Sequence, residues 1–270
     1  MPELPEMENY RRLLKPLAAG KTVLSAKITR EKSVNLPAET FAGAVAYQRI
    51  TAVERRAKYL LFHLESSHVL LLHLMLNGWI YYTEGEEAPE RTAQVELDLE
   101  TGRLFFLGLR LGFLHYLSAF ETSEKLRPLG PEPMEESFNL EHFQSRLNAK
   151  SRSVLKSALT DQRVIAGIGN CYSDEICFAA GILPYRKIHT LSLDESGRLF
   201  AAMKQVLSEA VNAGGYMEVP LYAGDKLTGG YDSRCAVYDR ADEPCLRCGH
   251  PIGKREIASR KTFCCTNCQQ

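Results

Sequence analysis

The last 26 residues hold the feature that most limits what this chain can become. Cys245-Leu-Arg-Cys248 and Cys265-Thr-Asn-Cys268 are two C-x-x-C pairs separated by 16 residues. Each pair fits a tight turn that offers two thiolates to one tetrahedral ion, and Gly249 relaxes the first turn. The spacing predicts one structural Zn²⁺ on Cys245, Cys248, Cys265 and Cys268, with Cys264 as a poorer C-x-x-x-C substitute for Cys265. The other cysteines, Cys171, Cys177, Cys235 and Cys264, read as small buried hydrophobes. A disulfide framework is not expected. The N-terminus, Met1-Pro-Glu-Leu-Pro-Glu6, is acidic and lacks the basic and apolar regions of a secretory leader.

Between Cys245 and Cys268 lie Arg247, Lys254, Arg255, Arg260 and Lys261, opposed only by Glu256. The tail therefore carries +4 and the rest of the chain −4, because the whole has 33 Lys+Arg against 33 Asp+Glu. A basic, metal-held hairpin suits phosphate, although charge alone fits a solvated loop equally well. The 270 residues allow two modest domains. No apolar run approaches the ~18 residues of a membrane span, so none is expected.

Residues 1–121 read mainly as strands behind one helix, in which Met7, Tyr10, Leu14 and Leu17 mark one face from near Pro5. Seven strand-like runs follow, Thr22–Thr29, Ala44–Val53, Lys58–Leu64, His68–Leu74, Trp79–Thr83, Gln94–Leu99 and Arg103–Leu107. Gly, Thr-Gly and Glu-Gly-Glu-Glu turns punctuate them. Short strands without intervening helices predict an antiparallel sandwich or barrel. Three prolines make 122–138 a linker. Helices are expected at Leu140–Leu147, Ser153–Thr160, Asn170–Ala179 and Leu193–Ala213. The middle two are joined by a glycine-bearing segment, 161–169, whose following helix N-terminus suits a phosphate. The boundaries drawn are 1–121, 122–138, 139–234 and 235–270. No internal repeat is present.

Chemistry concentrates at the start of the chain. Removal of Met1 would expose Pro2 as a secondary amine, and an α-amino group near pKa ~8 is partly an unprotonated nucleophile at neutral pH. Amines attack carbonyl-type carbons, including sugar C1′, to give iminium intermediates. Glu3 and Glu6 follow immediately, with the carboxyl at position 3 within reach of the amine, though both also fit a helix start whose dipole favours acids.

Met1-Pro-Glu-Leu-Pro-Glu6, Arg55-Arg-Ala-Lys-Tyr59, Asp161-Gln162, Ala166-Gly-Ile-Gly-Asn170, Tyr172-Ser-Asp-Glu175 and the terminal C-x-x-C pairs occur here in one order. In that order the whole chain resembles the formamidopyrimidine-DNA glycosylase / endonuclease VIII family, on the formamidopyrimidine branch. The resemblance implies an α+β protein. Its parts would be an N-terminal antiparallel β-sandwich with an N-terminal helix, a helical domain with a helix–two-turn–helix motif, and a zinc-finger hairpin. DNA would bind in the cleft between them. The implied activity is that of a bifunctional glycosylase and abasic-site lyase acting on damaged duplex or abasic DNA in base excision repair, working as a monomer in the bacterial cytoplasm at the nucleoid.

By the same resemblance Pro2 attacks C1′ and forms an iminium, and β,δ-elimination follows. Glu3 serves ring opening and proton transfer, Glu6 supports the amine, and Lys58 contacts phosphate. Further DNA contacts are implied for His73, Leu76, Arg110, Lys156, Asn170 and Arg260, with Asn170 also capping its helix. A sheet histidine satisfied by its neighbours is the competing reading of His73. Trp79, the single tryptophan, reads as sheet packing.

The departures lie in the parts that read the lesion. The family's H-x-x-M-x-G is here His73-Leu-Met-Leu-Asn-Gly78, which puts Leu76 at the methionine. Its D-x-R-x-F-G is Gly108-Leu-Arg-Leu-Gly-Phe113, which keeps Arg110 but puts Gly112 where a phenylalanine wedge belongs. The lesion-covering Gly-Gly-Thr-Thr-Leu-Arg-Asp-Phe becomes Gly214-Gly-Tyr-Met-Glu-Val-Pro-Leu221, poorer in hydrogen-bond donors. The expected substrate is therefore not 8-oxoguanine but an oxidised pyrimidine, a formamidopyrimidine, a bulky lesion, or an abasic or single-stranded site. A DNA-binding protein that has lost catalysis is the alternative from another class.

Overall fold

Helix α1 (Leu4–Ala18) buries Leu4, Met7, Tyr10, Leu14 and Ala18, so the spacing visible in the sequence faces a core. Pro5 sits in its first turn, where a missing N–H leaves no bond unmade. A computed structural model describes residues 1–85 and 88–270. Positions 86 and 87 of the expected Glu-Gly-Glu-Glu turn lie outside the described residues.

After α1 come β1 (Val23–Ile28), α2 (Ala38–Val45), β2 (Ile50–Arg56), β3 (Tyr59–Leu64), β4 (His68–His73), β5 (Trp79–Thr83), β6 (Val95–Leu99), β7 (Arg103–Leu107), β8 (Phe113–Ser118) and α3 (Ala119–Leu126). They form two four-stranded antiparallel sheets, ordered β1-β6-β7-β5 and β2-β3-β4-β8. The inner faces share one core, in which Phe62 of β3 and Phe106 of β7 meet edge to face at 6.1 Å. The expected sandwich is present.

Its details differ from the sequence reading in three places. The run Ala44–Val53 is not one strand: α2 ends at Val45, Tyr47 turns the chain at φ +62°, and β2 starts at Ile50. An eighth strand, β8, has no counterpart among the seven runs. The stretch read as a linker from 122 begins inside α3, which Ser118 and Glu121 close with a capping box.

The chain divides into two compact units, Met1–Pro128 with Ala213–Gly230, and Leu129–Asn212 with Tyr231–Gln270. In the first, residues 213–230 pack beside α1 and the β5 edge. The Tyr82 amide donates to the Leu221 carbonyl at 2.7 Å, and Asn9 Nδ2 donates to Thr228 Oγ1 at 2.7 Å. The second unit holds α4 (Leu140–Asn148), α5 (Leu155–Thr160), α6 (Asn170–Ala180), α7 (Leu193–Asn212) and the hairpin β9 (Gly253–Ile257) and β10 (Arg260–Cys264). Gln162 ties the α5–α6 joint together, donating to the Ile168 carbonyl and accepting from the Gly167 amide. Among the described residues, no helix is long and apolar enough to cross a membrane.

The β4–β5 and β7–β8 loops touch backbone to backbone. A Cβ on Gly112 would stand 2.5 Å from the His73 carbonyl oxygen and 2.8 Å from that of Leu74. Gly112→Ala should therefore lose about 2 kcal/mol by steric displacement of these two loops, read as a lower urea midpoint at unchanged m-value.

Candidate active site and metal centre

The N-terminal turn is a cluster of buried polar groups. Glu3 is 1% exposed, Glu6 3% and Lys58 5%, and Pro2 is buried beside them in sequence. Glu6 is bound at both oxygens. Its Oε2 accepts the Glu3 amide at 2.7 Å, and its Oε1 accepts the Tyr216 amide at 2.8 Å. Gly215, at φ +78°, has no room for a Cβ against that carboxylate. The carboxylate thus ties the start of α1 to the loop 214–221. Tyr216 Oη in turn donates to the Met1 carbonyl at 3.4 Å.

Lys58 sits with Ala57 (φ +53°) on the two-residue turn between β2 and β3. That turn is anchored to α1 through Arg55, which donates to Glu8 Oε2 at 3.0 Å and to the Ala57 carbonyl at 3.1 Å. The arginines Arg11 and Arg55 hold the Glu8 carboxyl below the usual carboxylate range against the opposing pull of its burial. Pro2, Glu3, Glu6 and Lys58 all belong to this first unit.

His73 lies in register between Tyr59 and Phe113 on the outer face of the second sheet. Its ring is 4.4 Å from Tyr59 and 5.9 Å from Phe113, and its buried Nδ1 has no hydrogen-bond partner among the described residues. Burial, with Lys58 and Lys125 adding repulsion, pushes its pKa down to about 4. It is a neutral packed imidazole at neutral pH.

The exposed tip of the two backbone-packed loops differs from the motif reading. Gly112 is buried, and Phe113 lies in β8 against His73. The side chain beside Arg110 that reaches solvent is Leu111, 61% exposed, and Leu76 on the neighbouring loop is 53% exposed. Leu76 is flanked by Met75 at φ +51° and Asn77 at φ +62°, left-handed backbone held by its surroundings. The loop thus keeps an apolar tip, and it does so without moving Phe113 into it. Leu111 escapes the sequence reading because the motif directs attention to the second residue after Arg110, where Gly112 is buried, and not to the first.

In the second unit, Lys156, for which the resemblance implies a DNA contact, is 1% exposed. Its Nζ donates to both oxygens of Asp174 at 2.7 Å and to the Lys261 carbonyl at 2.9 Å, while Asp174 Oδ2 accepts the Phe263 amide at 3.0 Å. This buried pair ties α5 and α6 to β10, next to exposed Arg260. Asn170 does not cap α6. The N-cap is Gly169, and Asn170 Oδ1 is buried with no hydrogen-bond partner among the described residues. Glu175 accepts the amides of Ala236, Val237 and Tyr238 at 2.8–2.9 Å, fixing the entry to the tail.

The ligand atoms of Cys245, Cys248, Cys265 and Cys268 lie within 4.8 Å of one another. The Cys245–Cys268 and Cys248–Cys265 sulfurs are 3.9 and 3.5 Å apart, close to the ~3.8 Å edge of a tetrahedron with ~2.3 Å Zn–S bonds. Cys264 is buried in β10 outside this group.

Three family models match in chain order. They are the formamidopyrimidine-DNA glycosylase N-terminal domain over residues 1–112, its H2TH domain over 129–219, and the zinc finger found in FPG and IleRS over 242–270. The chain belongs to the formamidopyrimidine-DNA glycosylase family. The formamidopyrimidine-DNA glycosylases of Listeria monocytogenes and Yersinia pseudotuberculosis are 36% and 35% identical to it, each with both chains covered in full. Among solved structures, the MutM (Fpg) protein of Thermus thermophilus is 36% identical at a TM-score of 0.88, covering 99% of this chain and 98% of that one. Lactococcus lactis Fpg in complex with abasic-site DNA is 29% identical at 0.92, covering 99% of each chain. Formamidopyrimidine-DNA glycosylases are DNA glycosylases with abasic-site lyase activity, and the matched zinc-finger model with the thiol geometry assigns this member one structural Zn²⁺.

Two measurements follow from this geometry. Zinc binding contributes about 10 kcal/mol to folding a small thiolate module at neutral pH, so chelation should release one equivalent per chain and open residues 245–268 to protease. Cys268→Ser should lower zinc content toward zero in a colorimetric zinc assay. The His73 imidazole is depressed from an ordinary 6.5 to about 4, so its contribution is full above pH 6.5 and lost as pH falls toward 4. From pH 8 to pH 5 this site should cost roughly 2 kcal/mol in chemical denaturation, a loss absent from His73→Phe.

Proposed function

We propose that this chain is a bifunctional glycosylase and abasic-site lyase acting on damaged DNA, with Pro2 as its nucleophile. The observation that carries the reading is the double engagement of Glu6, which holds the Pro2–Glu3 turn and the loop 214–221 in one fixed arrangement. A binding module has no use for a buried N-terminal turn organised by a carboxylate. Met1 must first be removed, because its peptide bond makes the Pro2 nitrogen an unreactive amide. The freed amine attacks C1′, displaces the base and forms an iminium. Glu3 serves proton transfer at the opening sugar, and Glu6 keeps the amine in place. The iminium acidifies C2′, so that β- and then δ-elimination cut the strand. Lys58, Arg110 and Arg260 supply cations for phosphate, which give position and affinity, not sequence preference. Leu76 fills the vacated stack with Leu111 beside it.

The loop 214–221 supports a substrate other than 8-oxoguanine paired with cytosine. Its Tyr216 and Leu221 amides are already spent on Glu6 and Asp225, and Pro220 has none to give. The remaining lining is largely apolar, suited to shape more than to a hydrogen-bonding edge.

Borohydride trapping on an abasic-site duplex tests the chemistry, with N-terminal Pro2 verified by mass spectrometry. Wild type should form a covalent adduct and Pro2→Gly none. No adduct from the processed wild-type chain would reject the lyase in favour of a DNA-binding protein that has lost catalysis. A single-turnover panel of lesions tests the substrate, and fastest excision of 8-oxoguanine opposite cytosine would overturn that part.

A further inference from the structure

The hairpin that carries Arg260 closes on a turn its sequence does not favour. Ala258 and Ser259 fill both central positions at φ +48° and +59°, left-handed backbone that Asn and Gly adopt more readily. Such a turn persists where its surroundings hold it. In a hairpin of this kind every second residue directs its main-chain groups away from the partner strand. On β10 those residues are Lys261 and Phe263, and one buried ion pair meets both. Lys156 Nζ donates to the Lys261 carbonyl at 2.9 Å, and Asp174 Oδ2 accepts the Phe263 amide at 3.0 Å. The ammonium has no donor left over. It also donates to both Asp174 oxygens at 2.7 Å and to the Asn170 carbonyl at 3.4 Å, and it is sealed from solvent.

We infer that Lys156 and Asp174 are positioning residues for DNA binding, which fix the head of β10 so that Arg260 and Lys261 meet phosphate already ordered, and that Lys156 itself touches no phosphate. The inference rests on the hairpin cations meeting phosphate, as proposed above for Arg260. Neither member of the pair can leave its strand contact without exposing the other as an uncompensated buried charge, so the edge of β10 is held more firmly than water would hold it. The neighbouring Glu175 accepts three amides at the entry to the tail, so one helix, α6, fastens the tail at both places. With β10 loose, two long cationic side chains and their strained turn would lose conformational freedom at each binding event, and affinity would fall by that amount.

The probe is a duplex holding a reduced abasic site, which cannot be cut. Lys156→Met is measured beside Lys156→Met/Asp174→Leu, which removes both charges and so leaves neither buried alone. One zinc per chain shows in each case that the hairpin is folded. Duplex affinity should fall about 10-fold, and the logarithmic salt slope should flatten by about 0.9 for each phosphate no longer met. In an Arg260→Ala/Lys261→Ala background the same substitutions should change neither quantity, because the groups they act through are gone. An equal loss in both backgrounds would mean that Lys156 meets phosphate directly or supports the fold at large, and would overturn the assignment. Unchanged affinity in the wild-type background, or loss of zinc from both variants, would overturn it too. If Arg260→Ala/Lys261→Ala binds as tightly as wild type, the phosphate reading of the hairpin fails and takes this one with it, while the Pro2 reading is decided separately by trapping.

Discussion

One carboxylate organises the reactive end of this molecule. Glu6 lies in the first turn of α1, buried, with an amide donor on each oxygen from sequence positions 3 and 216. Burying a charged carboxylate is unfavourable unless its lone pairs are met, and here they are met by main chain, which cannot rotate away. The consequence runs in both directions. The N-terminal turn, which would fray in most chains, is pinned, and a loop more than 200 residues later is drawn to it. Around that bond the remaining contacts fall in place. Tyr10 donates to the Val219 carbonyl, and Asp225 accepts from the Leu221 amide and from the Thr228 amide and hydroxyl. The segment 213–230 therefore packs as part of the first unit although the chain enters and leaves it through the second.

The sandwich is legible in the sequence where turn residues bound a short apolar run. The runs predicted for β5 and β7 match to their last residues, since turn residues bound both and one face of each meets the core. Burial of both faces does not by itself hide a strand, since β7 is covered on both and its turns still delimit it; β8 is hidden because polar aromatic residues break its apolar run. In β8, Leu114 faces the inner core, while Phe113 and Leu117 face a second apolar cluster with Leu126 of α3. His115 and Tyr116 interrupt the apolar pattern, and no alternation remains to be seen. The Ala44–Val53 error has a different origin. Phe41 and Val45 are a helical i, i+4 pair, and Val45 with Ile50 and Val53 also suits a strand, so periodicity alone could not place the break at Tyr47.

Site residues divide in the same way. The thiolates are legible because tetrahedral coordination needs four of one residue type at short spacing, which few other structures require. Lys156 and Asn170 are not, because the sequence cannot tell a lysine offered to solvent from one closed on Asp174. That distinction changes its role: Lys156 acts on Arg260 through the Lys261 carbonyl, holding the hairpin strand on which the arginine stands. Tyr216 is hidden for a complementary reason. Its partners are the main chain at Met1 and a carboxylate 210 residues away, and neither leaves a trace in local pattern.

The zero net charge is resolved by counting which cations are already engaged. Of the five in the zinc-bearing tail, Arg247 donates to the Phe178 carbonyl and lies over its ring at 4.1 Å, and Arg255 lies over Tyr185 at 4.7 Å. Lys156, which sequence position alone would add to them, is closed on Asp174. Lys254, Arg260 and Lys261 remain, exposed and, among the described residues, in no ion pair with a carboxylate. Each phosphate neutralised by such a cation contributes about −0.9 to the logarithmic salt slope of duplex affinity, so the hairpin's share of that slope is about −3, not the roughly −5 of its composition. A formally neutral chain can grip a polyanion in this way, because counterion release depends on the cations left unspent by the fold, and the fold spends its others on holding that hairpin in shape.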